Sequence, residues 1–102
     1  MSISLLLDAM YEELDELLLS FRYEEAKQRL LEYATGDHSL TVLLGVMVIT
    51  CPWRDQLKEA RHEVFVRILQ EAHKQGGDEK VGEVTRFLLG SSNRKQPPIT
   101  EL

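Results

Sequence analysis

Apolar residues recur at three- and four-residue steps along most of the chain, which is typical of amphipathic α-helices. Polar or glycine-containing turns interrupt the pattern at intervals. The first apolar stripe consists of Leu6, Leu7, Met10, Leu14, Leu17 and Leu18. The whole pattern predicts an all-α protein of five helices, over residues 4–19, 23–34, 40–50, 53–74 and 79–89.

The third of these segments is ambiguous. Residues 40–50 are almost all apolar and rich in β-branched side chains, and periodicity cannot distinguish a buried helix from a buried strand in such a run. No other segment of the chain is a strand candidate, and a lone strand would leave its backbone groups unpaired. A helix is therefore the favoured interpretation, and a strand paired across a dimer is the alternative.

Glycine and proline predict where the helices end. Gly36 is expected to close the second helix in the left-handed conformation. Pro52 disfavours a helical conformation at the preceding residue and suits the first turn of the next helix. Residues 75–77, Gln-Gly-Gly, are expected to separate the fourth helix from the fifth, which Gly90 then closes.

The length of 102 residues predicts a single domain, here residues 1–90, followed by a flexible polar tail over residues 91–102. Cys51 is the only cysteine, so no intrachain disulfide can form. The start of the chain lacks a basic segment, and the longest apolar run is about half of what spans a bilayer. These features predict a cytoplasmic protein with no membrane partner.

The net charge of −5 is unevenly distributed, since residues 1–40 carry nine acids and three bases. Phosphate contacts need clustered Lys and Arg, so nucleic acid is not an expected partner. The chain contains no phosphate-binding loop, nucleophile elbow or zinc-ligand spacing. The sequence therefore predicts neither an enzyme nor a cofactor or metal site.

The two central helix pairs repeat each other at a spacing of 34 residues. Glu25-Ala26-Lys27 and Glu59-Ala60-Arg61 show this spacing most clearly. A period of this length is typical of stacked helical hairpins, in which each hairpin covers an apolar face of its neighbour. The matching apolar pairs are Met10 with Leu44, Leu14 with Val48, Leu17 with Cys51, Tyr23 with Leu57, Ala26 with Ala60, and Leu30 with Val64.

The segment Phe21-Arg22-Tyr23-Glu24-Glu25-Ala26, with Ala60 in the equivalent place of the second unit, resembles the tetratricopeptide-repeat family. The resemblance covers residues 7–40 and 41–74, about two-thirds of the chain. It implies two stacked antiparallel helical hairpins, with the fifth helix as a C-terminal cap. The sequence departs from the family at Leu14 and Val48, where a small residue is usual, and at His38 and Ala72, where proline is common.

In that family the first helix of each unit lines a concave binding surface. Carried over by position, the surface would contain Asp8, Tyr11, Asp15, Leu18 and Leu19 from the first unit and Val42, Gly45, Ile49, Pro52 and Trp53 from the second. The resemblance thus implies an apolar groove with an acidic margin, in which Gly45 admits a ligand close to the backbone. Tyr11 and Trp53 would anchor a partner peptide or helix. The alternative interpretation places these residues in the core, against the fifth helix or against a second copy of the chain.

The predicted function is that of a protein–protein interaction module, an adaptor or small chaperone. Two alternatives remain open, a self-associating structural domain that forms a homodimer and a small acidic regulatory or inhibitory protein. The C-terminal Thr100 and Leu102 also resemble the peptide ligand of PDZ domains, which bind a terminal carboxylate. This last hypothesis rests on those two residues alone.

Overall fold

The computed structural model describes the backbone of residues 2–94 and the side chains of residues 2–90. Within that range the elements are all helical, which confirms the all-α prediction, and the strand alternative for the third segment is wrong. They are α1 (Ile3–Leu19), α2 (Tyr23–Thr35), α3 (Leu40–Ile49), a short 3₁₀-helix (Cys51–Trp53) and α4 (Lys58–Arg94).

The predicted count of five helices is wrong for the described residues, because a single α4 runs from Lys58 to Arg94. Its backbone nevertheless leaves helical geometry at Gly76 (φ −156°, ψ 19°) and Gly77 (φ 65°, ψ −153°). The helix is thus kinked where the sequence predicted a break. Gly90 does not end the helix, since α4 continues through it.

The start of α4 also differs from the prediction. Residues 51–53 form the 3₁₀-helix, and α4 begins only at Lys58. Pro52 lies in the first turn of the 3₁₀-helix, where its fixed φ is tolerated and its missing N–H group is not needed. The predicted helix over residues 53–74 therefore begins five residues too early.

The core is organised by one side of α4 and the residue just before it. This side packs against both α2 and α3, while α1 packs against the same two helices. Spacings of three and four residues put its apolar members in a single row. The row, 0–1% exposed throughout, consists of Leu57, Ala60, Val64, Ile68 and Ala72.

Arg67 of α4 closes the C-terminal end of α2. Its Nη1 donates hydrogen bonds to the carbonyl oxygens of Ala34, at 3.2 Å, and Gly36, at 3.0 Å. The last carbonyls of a helix lack intrahelical donors, and a cation there also interacts favourably with the negative end of the helix dipole. Gly36 itself is extended (φ −84°, ψ 176°), so the prediction of a left-handed glycine at this end is wrong.

The 34-residue spacing describes α2 and α4 better than it describes α1 and α3. Ala26 and its match Ala60 are both buried. Leu14 is also buried, whereas its match Val48 is partly exposed. Met10 is buried too, whereas its match Leu44 is partly exposed. A single period therefore does not place both helix pairs.

We predict that Gly77→Ala lowers the free energy of unfolding by about 1–3 kcal/mol, since only glycine readily adopts its backbone conformation. An added Cβ would meet no atom within 4 Å, so backbone strain alone accounts for the loss. The matched control is Gly82→Ala in the same helix, which should raise stability by about 0.5–1 kcal/mol. Urea denaturation measures both variants, and a Gly77→Ala protein that gains stability would mean that α4 is straight.

Candidate partner-binding surface

The centre of the candidate surface is an aromatic pair formed by Tyr11 and Trp53. Their ring centroids are 4.9 Å apart, and the ring planes are inclined by 25°. Tyr11 lies in the middle of α1 and is 40% exposed, whereas Trp53 is half-buried and packs against the core. Two residues that are 42 positions apart in the sequence thus meet at the surface, as the carried-over site implied.

Local backbone hydrogen bonds fix the position of Trp53. Its N–H donates to the carbonyl of Thr50 at 3.0 Å, which belongs to the 3₁₀ turn. Its own carbonyl accepts from the N–H of Leu57 at 2.9 Å, just before α4 begins. Because the N–H and the carbonyl of Trp53 are both hydrogen-bonded, its backbone is fixed, and this holds the indole against Tyr11 of α1.

Other residues of the predicted site lie at different depths around the pair. Leu19, the last residue of α1, is 73% exposed. Asp15 is partly exposed, while Leu18 and Ile49 are partly buried and pack against the core. The accessible part of the predicted site is therefore Asp8, Tyr11, Asp15, Leu19 and Pro52, with Trp53 behind Tyr11.

Two residues of the predicted groove are used in helix packing instead. Val42 is only 7% exposed and belongs to the core. Gly45 lies against α1, where an added Cβ would collide with the side chain of Leu7. Its missing side chain allows α1 and α3 to approach each other, so the side of Gly45 that lacks a Cβ faces Leu7 and not a ligand groove.

Carboxylates dominate the exposed side of α1. The helix contains five acids and no base. Glu13 forms an ion pair with Arg29 of α2 at 3.0 Å. No salt bridge within residues 2–90 involves the other four, which are Asp8, Glu12, Asp15 and Glu16. Asp8 and Asp15 lie three and four residues from Tyr11, on the same face of α1, so their charge lies beside the aromatic pair without an ion-pair partner, whereas Glu16 lies close to Arg22.

Phe21, in the turn between α1 and α2, is a surface residue that the sequence did not indicate. It is 78% exposed and has a left-handed backbone (φ 60°). Its N–H donates to the Leu18 carbonyl at 3.1 Å, and the N–H of Arg22 donates to the Leu17 carbonyl at 2.8 Å. This is the Schellman ending of a helix, in which glycine usually occupies the left-handed position.

The phenylalanine at this position has a conformational cost but little packing in return. Its nearest aromatic neighbour is Tyr23, in an edge-on contact with the ring centroids 6.2 Å apart. Strained backbone of this kind is common at functional sites. Phe21 and Leu19 are thus two exposed apolar side chains at the C-terminal end of α1, in addition to the aromatic pair. The turn contains no Gly or Asn that could have signalled its geometry.

We predict that Phe21→Gly raises the free energy of unfolding by about 1 kcal/mol, because glycine removes the cost of the left-handed conformation. The control is Ser20→Gly in the same turn, where φ is −91° and glycine only adds unfolded-state entropy, so stability should fall. Thermal and urea denaturation measure both variants. A loss of stability in Phe21→Gly would mean that the ring has a packing role.

Among the described residues no group of three or more His, Cys, Asp and Glu side chains could hold a metal ion. No helix in the described part of the chain is both long and apolar enough to cross a bilayer. Thr100 and Leu102, the residues of the PDZ-ligand hypothesis, lie outside the described residues.

Comparisons of the chain with protein-family models, with curated proteins and with solved structures returned no match. The likeness to the tetratricopeptide-repeat family therefore stays a prediction from the sequence. The features of this chain that bear on function are its own side chains, above all the aromatic pair and the carboxylates of α1.

Proposed function

We propose that this chain is a protein-interaction domain that binds a partner protein across the surface centred on Tyr11 and Trp53. The observation that carries the proposal is the stacked, partly exposed aromatic pair next to uncompensated carboxylates. Tyrosine and tryptophan are the residue types most enriched among interface hot spots, since each buries a large area with few rotatable bonds. An adaptor or small-chaperone role is compatible with such a surface.

The surface specifies the chemistry of its partner. Tyr11 and Leu19 are complementary to apolar side chains of a partner, while Asp8, Glu12 and Asp15 are complementary to its lysine or arginine side chains. Opposite charges across an interface accelerate encounter and disfavour wrong partners. We therefore infer a partner segment that combines apolar and basic residues. Since Val42 and Gly45 are covered, this segment would lie across α1 and the 3₁₀-helix and would not enter a groove between α1 and α3.

The alternative is self-association, which the exposed Leu19 and Phe21 favour. A two-fold symmetric dimer brings the same surface of both copies together. Through the exposed side of α1 it would place carboxylates of one copy against those of the other, and such like-charge contacts are costly. The charge on α1 therefore favours a different protein as its partner.

The charge of α1 can be tested by reversal. We expect Asp8→Lys with Glu12→Lys to reduce capture of the native partner by on the order of tenfold or more, because like charges would then face each other. The matched control is Asp37→Lys with Glu79→Lys, which changes the net charge equally at exposed residues outside α1. Affinity capture from the native cell, quantified by mass spectrometry, compares the two with the unaltered protein. Equal capture by both variants would overturn the proposal.

The aromatic pair can be tested with two tyrosines of equal exposure. Tyr11 and Tyr23 are each 40% exposed, but only Tyr11 contacts Trp53. We expect Tyr11→Ala to weaken binding of the captured partner by about tenfold, as for a hot-spot residue, with Tyr23→Ala close to the unaltered protein. Calorimetric titration measures binding, and circular dichroism checks the fold. Equal weakening by the two substitutions would contradict a specific role for the pair.

A further inference from the structure

A second feature of the surface is a cavity of about 580 Å³ between the C-terminal end of α3 and the N-terminal part of α4. Its volume lies in the range of small-molecule sites. Arg54, Lys58 and Arg61 contribute cationic groups to its lining, and Met47 and Phe65 contribute apolar surface. Neither Tyr11 nor Trp53 lines it, so the cavity is separate from the partner-binding surface.

Arg61 is held in place by the end of α3. Its Nε donates to Thr50 Oγ1 at 3.0 Å, and its Nη2 donates to the carbonyl of Met47 at 2.9 Å. Thr50 is fully buried, and its hydroxyl donates in turn to the Val46 carbonyl at 2.7 Å. A guanidinium has five N–H donors. The Nη1 group of Arg61 makes no hydrogen bond within the described residues, so it can serve a ligand in the cavity.

The cations of the cavity lack paired acids. No salt bridge within residues 2–90 involves Arg54, Lys58 or Arg61. Burial lowers the pKa of Arg61, and the nearby Arg54 guanidinium lowers that pKa further, while Cys51 opposes the change. A partly buried positive charge beside another one is costly without an anion nearby.

Two carboxylates also line the cavity, and their positions limit what can bind. Glu59 already forms an ion pair with Lys27 of α2 at 3.4 Å. Glu63 is exposed and forms no salt bridge with another described residue. The lining therefore keeps an excess of positive charge, and the acids favour a ligand with one compact anionic group over an extended polyanion.

We propose that this cavity binds a small organic anion, whose carboxylate or phosphate group contacts Arg54, Lys58 and Arg61 and whose apolar part contacts Met47 and Phe65. Arginine suits this role because its planar fork of donors matches the oxygens of carboxylate and phosphate. The hydrogen bonds to α3 fix the Arg61 fork in advance, which lowers the entropy lost on binding. This site does not depend on the proposed partner binding.

The test is calorimetric titration of the full chain with phenyl phosphate, benzoate and inorganic phosphate, and with benzyl alcohol as an uncharged analogue. We expect phenyl phosphate or benzoate to bind at least about tenfold more tightly than benzyl alcohol, which lacks the charge-assisted hydrogen bonds. The tighter of the two identifies the anionic group. Inorganic phosphate should bind more weakly than phenyl phosphate, because it lacks an apolar part.

Substitutions of the lining residues test whether the probe binds in the cavity. Arg54→Gln with Lys58→Gln should weaken the tighter probe by about tenfold or more, since two charge-assisted contacts are lost. Both side chains are exposed, so the fold should persist, whereas substitution of Arg61 would also disturb the end of α3. The matched control, Lys74→Gln with Arg86→Gln, removes the same charge outside the cavity and should have little effect.

Three outcomes would overturn the proposal. They are no measurable binding of any anionic probe, equal binding of inorganic and phenyl phosphate, and equal weakening by the two double substitutions. The last would mean that the anion responds only to net charge. Because the probes need no partner protein, failure here would leave the proposed partner-binding function untouched, and the reverse also holds.

Discussion

α2 and α3 are held in place because both bury their apolar sides against the same helix. The row from Leu57 to Ala72 on α4 contains two alanines, Ala60 and Ala72, and small residues let packed helices approach closely. Arg61 and Arg67, on the edges of this row, donate hydrogen bonds to the C-terminal ends of α3 and α2. One stretch of α4 therefore supplies both the apolar and the polar part of the packing.

α1 has a different relation to this core. It packs against α2 and α3, and Gly45 lets it lie close to α3 through Leu7. Because the core needs only one side of α1, the opposite side is free to carry acids and the exposed Leu19. The acids and Leu19 of the proposed surface thus lie on the part of α1 that core packing does not constrain, whereas Tyr11 also stacks on Trp53.

The sequence predicted the helices well where their apolar stripes are clear. The predicted starts of α1, α2 and α3 agree with the structure to within one residue, because the polar faces and the turns limit the choices. α3 was harder, since it is apolar on nearly every side and its pattern cannot show which side faces inward. The 34-residue spacing therefore assigned Val42 and Gly45 to a binding groove, whereas Val42 is buried and Gly45 packs against Leu7.

The sequence analysis placed Tyr11 and Trp53 on one surface without predicting their contact, and it gave no sign of the cationic cavity. Arg54 belongs to the turn before α4, and its closeness to Arg61 depends on how the 3₁₀-helix leads into that helix. The net negative charge of the whole chain also gave no indication of the local excess of basic residues around the cavity. The left-handed backbone of Phe21 could not be predicted, because the turn contains no Gly or Asn. Only the hydrogen bonds at the end of α1 reveal this conformation.

Thr50 connects the two surfaces of this molecule. Its hydroxyl accepts a hydrogen bond from Arg61 in the cavity, and its carbonyl accepts one from the N–H of Trp53 in the aromatic pair. The first contact uses the side chain of Thr50 and the second uses its backbone. Replacement of the threonine side chain would therefore remove the contact to Arg61 and leave the carbonyl that positions the indole.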